Sequence, residues 1–150
     1  MSANDEALRL DPFRSRTLET RAWLLIYSGR PGESLDVAAR VVDLDGDTNR
    51  ADALWCVAYM HLKRDRDAVR PCETASASWN YWILYAITTA AYANLGEMEK
   101  ATTWKKKLME SNPRMSIAQF MGTGASTHPE FVANWEHTVT GWRKVGIPEQ

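Results

Sequence analysis

Cysteine is scarce in this chain: Cys56 and Cys72 are the only two in 150 residues, too few for a disulfide framework or a zinc site. No charge sign dominates either, since 18 basic side chains face 19 acidic ones and the formal net charge is -1. That balance argues against nucleic acid or an acidic membrane surface, which call for a clustered basic excess. Long hydrophobic runs are missing. The longest, Trp82 to Leu95, is broken by Thr88, Thr89 and Asn94, short of the ~20 apolar residues that a bilayer span requires. The opening Met1-Ser2-Ala3-Asn4-Asp5-Glu6 has no basic start and no apolar core, so no secretory signal is expected. Together these absences predict a soluble, cytoplasmic domain. In a reducing compartment the two cysteines are expected as small, unpaired core residues.

What is present is a repeat. Ala7-Leu8-Arg9-Leu10-Asp11-Pro12, Ser34 to Asp45-Gly46, Ala68 to Asn80 and Ala101 to Asn112-Pro113 each run from a small residue to a stop. The stops at Pro12, Gly46, Asn80 and Pro113 lie about 34, 34 and 33 residues apart. A period of this length marks an array of helical hairpins. Two antiparallel helices approach closely only where a small side chain sits at their crossing, hence Ser34, Ala68 and Ala101. Glycine or a solvated run ends the first helix of each pair, and proline or a substitute ends the second. At 150 residues the chain is long enough to bury a core of its own.

The pattern resembles the tetratricopeptide repeat, W-x2-L-G-x2-Y…A-x3-F…P over about 34 residues. The third unit, 81–113, matches best, with Tyr92, the Leu95-Gly96-Glu97 turn, Ala101 and Asn112-Pro113. The second, 49–80, offers Trp55, Cys56, Tyr59 and Ala68 but turns on Lys63-Arg64-Asp65-Arg66-Asp67 without a glycine. The first, 14–46, has Ala22, Leu25, the Ser28-Gly29-Arg30-Pro31-Gly32 turn and Ser34. This alignment sets Cys56 and Cys72 on facing sides of one hairpin. The resemblance implies an all-α, TPR-like superhelix of antiparallel hairpins with a C-terminal capping helix. Two departures stand out. Pro71 should kink the second helix of the middle unit or delay its start, and Arg21 replaces an expected leucine, loosening the first hairpin. Residues 1–13 look like the end of a truncated repeat, leaving a face free for a partner or a second copy.

After Pro113 the period stops, and 114–150 forms a C-terminal segment. Gly122-Thr123-Gly124-Ala125-Ser126 is a connector, and Thr127-His128-Pro129-Glu130 has the spacing of a capping box. The helix it opens carries Phe131, Trp135, Val139 and Trp142 on one stripe. The ending Gly141-Trp142-Arg143-Lys144-Val145-Gly146-Ile147-Pro148-Glu149 resembles the tail of tetratricopeptide regions attached to bacterial class III adenylate or guanylate cyclases. Related regions follow winged-helix regulators. The likeness implies a sensory or interaction segment with the catalytic domain elsewhere.

Candidate chemistry is thin. Asp43, Asp45 and Asp47 alternate as in a calcium loop, but Gly46 is misplaced and Leu54 stands where the closing glutamate belongs. Gly122-Thr123-Gly124 lacks the Gly-Lys-Ser/Thr ending of a phosphate loop. His61, His128 and His137 are scattered, and Lys105-Lys106-Lys107 is expected on a solvated face. No catalytic set, cofactor site or metal site is expected. Among the seven tryptophans, Trp55 and Trp104 fit packing positions, whereas Trp23, Trp79 and Trp82 suit either a core or a binding hot spot.

In such arrays the first helix of each pair lines a concave groove. That projection selects Glu19, Trp23 and Ile26, then Arg50, Ala53, Val57, Met60 and His61, then Ile83, Ala86, Ala90 and Asn94. The surface is mostly apolar or small and lacks a carboxylate-clamping lysine and asparagine set. It suits an amphipathic helix, an apolar peptide or the chain's own C-terminal helix. The expected function is therefore non-enzymatic protein binding or self-association.

Overall fold

A computed structural model describes residues 3–12, 14–46 and 48–150. Of the positions singled out above, Met1, Ser2 and Asp47 lie outside the described residues. Nine helices occur among those described: α1 (Ala3–Leu10), α2 (Ser15–Tyr27), α3 (Pro31–Asp45), α4 (Asn49–His61), α5 (Asp65–Ser78), α6 (Trp82–Asn94), α7 (Met98–Ser111), α8 (Ile117–Gly122) and α9 (Pro129–Lys144). No strand is found among these residues, and no helix of theirs is long and apolar enough to cross a membrane.

The helices pair in chain order. α2 packs on α3, α4 on α5 and α6 on α7, while α3–α4 and α5–α6 contacts join successive pairs. Ser34, Ala68 and Ala101 are each fully buried, and the Ser34 hydroxyl donates to the Pro31 carbonyl at 2.7 Å, satisfying its polar group. Each pair reverses through a residue in the left-handed region: Gly29 (φ 75°), Lys63 (φ 58°) and Gly96 (φ 77°). Glycine adopts that conformation freely, whereas Lys63 holds it against its own Cβ.

Several sequence expectations need correcting. Cys56 and Cys72 are not free thiols; a disulfide joins them across α4 and α5, and both are fully buried. Their Cα atoms stand 4.7 Å apart, within bridging reach, because the hairpin approaches closely beside Ala68. With both cysteines paired, neither thiol speaks for a reducing compartment. Pro71 does not delay α5, which starts at Asp65 and runs to Ser78. Arg21 reaches outside its hairpin: it donates to Asp5 of α1 at 2.8 Å and ties α1 to α2.

The capping box at α9 does not form. His128 is the N-cap and makes no side-chain cap bond. Ser126 fixes the entry instead, donating to the Tyr27 carbonyl at 2.7 Å and accepting from the His128 amide at 3.0 Å. Pro129, first in the helix, removes one of the amides that the helix start would otherwise leave unsatisfied. Lys105 also leaves the expected solvated face. It donates to the Val145 carbonyl at 2.7 Å and to Gly146 at 3.2 Å, closing the carbonyl end of α9. The tail then folds back: Ile147 is buried, and the Pro148 and Glu149 carbonyls accept from the first amides of α8, Ile117 and Ala118, at 2.9 and 3.0 Å.

Candidate interaction groove

The apolar stripe of α9 is laid against α6 and α4, so the chain's own last helix fills part of the projected groove. Trp142 is fully buried, and its indole Nε1–H donates to the Ala86 carbonyl at 2.7 Å. One residue earlier, Gly141 sits so close to α6 that an added Cβ would stand 2.6 Å from the Ala90 carbonyl oxygen. His61 is enclosed between Phe131 and Trp135, with ring centroids 5.0 and 4.7 Å away. Asn94 donates to the His137 carbonyl at 3.0 Å and to Asp65 at 3.1 Å. Its own carbonyl accepts from Lys144 at 3.2 Å.

The remainder of the groove is an open chamber of about 430 Å³, within the size range of ligand pockets. Glu19, Trp23, Arg50, Ala53, Val57 and Ile83 supply one side of it. Phe120, Phe131 and Trp135 close it from α8 and α9, and Trp79, Tyr81 and Val132 form exposed apolar walls. Trp23 stacks on Tyr27 at 5.8 Å, and Tyr27 meets the edge of Phe131 at 5.6 Å. Burial, with a smaller contribution from Tyr81, pushes the Tyr27 hydroxyl pKa upward, which keeps it neutral.

Charge in the chamber is nearly cancelled. The charged residues lining it are Glu19 and Arg50, 3.8 Å apart and of opposite sign, and Arg50 also lies 3.5 Å from Asp45 outside the lining. His61 is 3% exposed, with both ring nitrogens lacking a hydrogen-bond partner. Burial holds its pKa down to about 4; the ring is neutral at neutral pH. Among the described residues no cluster of three or more His, Cys, Asp or Glu could hold a metal.

The projected residues therefore divide three ways. Glu19, Trp23, Arg50, Ala53, Val57 and Ile83 converge on the chamber. His61, Ala86, Ala90 and Asn94 meet α9. Ile26 and Met60 have no exposure and belong to the core, because they point between the helix layers. Sequence projection missed Tyr27, the last residue of α2, and it missed Tyr81, Phe120, Phe131 and Trp135 as walls because the inter-repeat loop and the last two helices are not placed by the repeat. Two signals were available: the Phe131 and Trp135 stripe of the last helix, and tryptophan, since two of the three unexplained ones, Trp23 and Trp79, line the chamber, and Trp82 packs on Phe120 at 5.9 Å.

Comparison with solved structures gives the fold. The crystal structure of MamA matches 95% of this chain and 86% of its own, with a TM-score of 0.68 and 21% sequence identity. At that identity the likeness speaks for architecture alone, and the architecture is a TPR-like helical fold. No protein-family model and no curated protein matches the chain.

Proposed function

We propose that this chain is a non-enzymatic protein-interaction module that takes an apolar peptide or amphipathic helix at the open end of its groove. The observation that carries this reading is the charge-balanced aromatic chamber whose rim residues Trp79 and Tyr81 remain 47% and 51% exposed. Aromatic side chains in a concave site are the usual anchors of recognition. Among the described residues that line the chamber there is no convergent set of nucleophile, base and acid. The test is calorimetric titration with amphipathic helical peptides carrying one aromatic anchor. It would compare the intact chain with Trp23→Ala and Trp79→Ala, alongside recovery of bound protein by the same variants. A loss of about tenfold or more is expected for each variant; equal binding by all three rejects the chamber.

A second, finer reading follows from the tail, whose sequence resembles that of cyclase-linked tetratricopeptide regions: a regulatory segment acting on a class III cyclase. Here Ile147 and Glu149 serve an internal clasp, with Arg143 donating to Glu149 at 2.8 Å. The tail residues thus have a use within the fold, and the interaction-module reading stands ahead of the cyclase one. Self-association through the α1 face is tested by light scattering, where a monomer at high concentration removes it.

A further inference from the structure

Two histidine contacts hold α9 in the groove, one apolar and one hydrogen-bonded. His61 of α4 lies against Phe131 and edge-on to Trp135 with no hydrogen-bond partner. Two residues beyond Trp135, the His137 Nε2 meets both carboxylate oxygens of Asp65 at 2.9 and 2.8 Å. That contact ties α9 to the start of α5 by a polar link, where His61 offers only an apolar one. A proton on His61 places an unpaired charge in an apolar sandwich, which is costly.

Charged and titratable groups on the elements around His61 are engaged elsewhere or exposed, Arg66 and Arg70 of α5 among the exposed ones. On α5, Asp65 holds His137 and Asn94, Asp67 pairs with Arg64, and Glu73 accepts from Tyr92. On α9 and its entry, Glu130 and His128 lie beside Gly29, and Glu136 faces Arg143 at 3.8 Å. On α2 and α3, Glu19 and Asp45 reach Arg50, Glu33 pairs with Arg30, and Tyr27 stacks on Trp23. Asp36, Arg40 and Asp43 of α3 are exposed. On α4 itself Asp52 stands nine residues away, while the neighbouring Lys63 and Arg64 are cations that would repel a protonated ring. α6 carries no charged residue; its Tyr85 donates to Asn80.

We propose that protonation of His61 releases the first part of α9, residues 129–135, while His137 and the segment after it stay docked, so that the chamber loses the wall made by Phe131 and Trp135. One proton passes from hydronium to a ring nitrogen, forming an N–H bond and leaving water, and no other covalent bond changes. The later half is retained by Asp65, by Trp142 on Ala86 and by Lys105 on Val145. What this does to a bound peptide rests on the groove reading above; the movement itself does not.

The sign follows from linkage. The docked ring binds its proton near pH 4 and a solvated one near 6.5. The docked state is therefore unpenalised above pH 6.5 and loses ground as pH falls toward 4, by about twentyfold at pH 5 relative to pH 7. Residue-resolved amide exchange on the intact chain at those two pH values, corrected for intrinsic rates, tests it without any ligand. Protection at 131–135 should fall about twentyfold, with 138–142 unchanged, and His61→Phe should abolish the difference. Unchanged protection at 131–135, equal loss in both halves, or the same loss in His61→Phe overturns the proposal. Should that variant fail to fold, the His61 ring-proton titration in the unaltered chain decides. The fall in protection must begin below the free-ring value of 6.5 and level off at the ring's own midpoint near 4, and a ring that titrates near 6.5 while 131–135 stay protected overturns the mechanism.

Discussion

Gly141 of α9 and Ala90 of α6 meet backbone to backbone: a Cβ on Gly141 would lie 2.6 Å from the Ala90 carbonyl oxygen and 2.9 Å from its Cα. Neither of those atoms can move without shifting α6. Gly141→Ala should therefore push the helices apart and cost about 1–3 kcal/mol, read as a lower denaturant midpoint with helix content retained. Wild-type stability in this variant would show that the two helices do not touch at this point.

Trp142 tests the same seat by removal of contacts. Trp142→Phe keeps a ring but deletes the Nε1–H bond to the Ala86 carbonyl, at a cost of about 1 kcal/mol plus that of any void. Trp142→Ala empties a fully buried site and should cost about 3–5 kcal/mol. If the two substitutions cost the same by chemical denaturation, the indole is not packed as described.

Where local spacing dictated structure, the sequence was legible. Ser34, Ala68 and Ala101 recur because a helix crossing admits only small side chains, and all three are fully buried. The stripe Phe131, Trp135, Val139 and Trp142 was equally plain, since one face of a helix must be apolar to dock. What failed depended on partners distant in sequence. Thr127 lost its capping role because Ser126 reaches Tyr27, 99 residues away. Lys105 looked solvated until the tail, 40 residues on, brought carbonyls to it. The chamber was only half visible for the same reason: its far walls come from α8, α9 and the loop carrying Trp79 and Tyr81, which no repeat period positions.

The Cys56–Cys72 bridge closes a loop with a sequence separation of 16. Closing a loop of that size removes unfolded-state entropy worth about 3 kcal/mol. Replacing both cysteines with alanine should lower stability by about 2–3 kcal/mol. Because both side chains are fully buried, the folded chain should resist reductant and take up alkylating reagent only after reduction in denaturant. Alkylation of both cysteines in unreduced, unfolded chain, detected by mass, would exclude the bridge.

Lys63 occupies the turn position that Gly29 and Gly96 hold in the neighbouring hairpins, and it does so with φ at 58°. The side chain is exposed, so its strain is not repaid by packing. Its amide still donates to the Met60 carbonyl at 3.0 Å, a bond that glycine would keep. The left-handed conformation costs an L-residue about 1–2 kcal/mol, from which glycine's greater unfolded-state freedom subtracts up to about 1 kcal/mol. Lys63→Gly should thus stabilise the chain by about 0.5–1 kcal/mol, and Lys63→Ala should change little. Lys63→Val, with its branched Cβ, should cost about 1 kcal/mol or more. Equilibrium denaturation of the three variants ranks them, and stability falling from lysine to glycine would show that the strain at this turn is not what limits the middle hairpin.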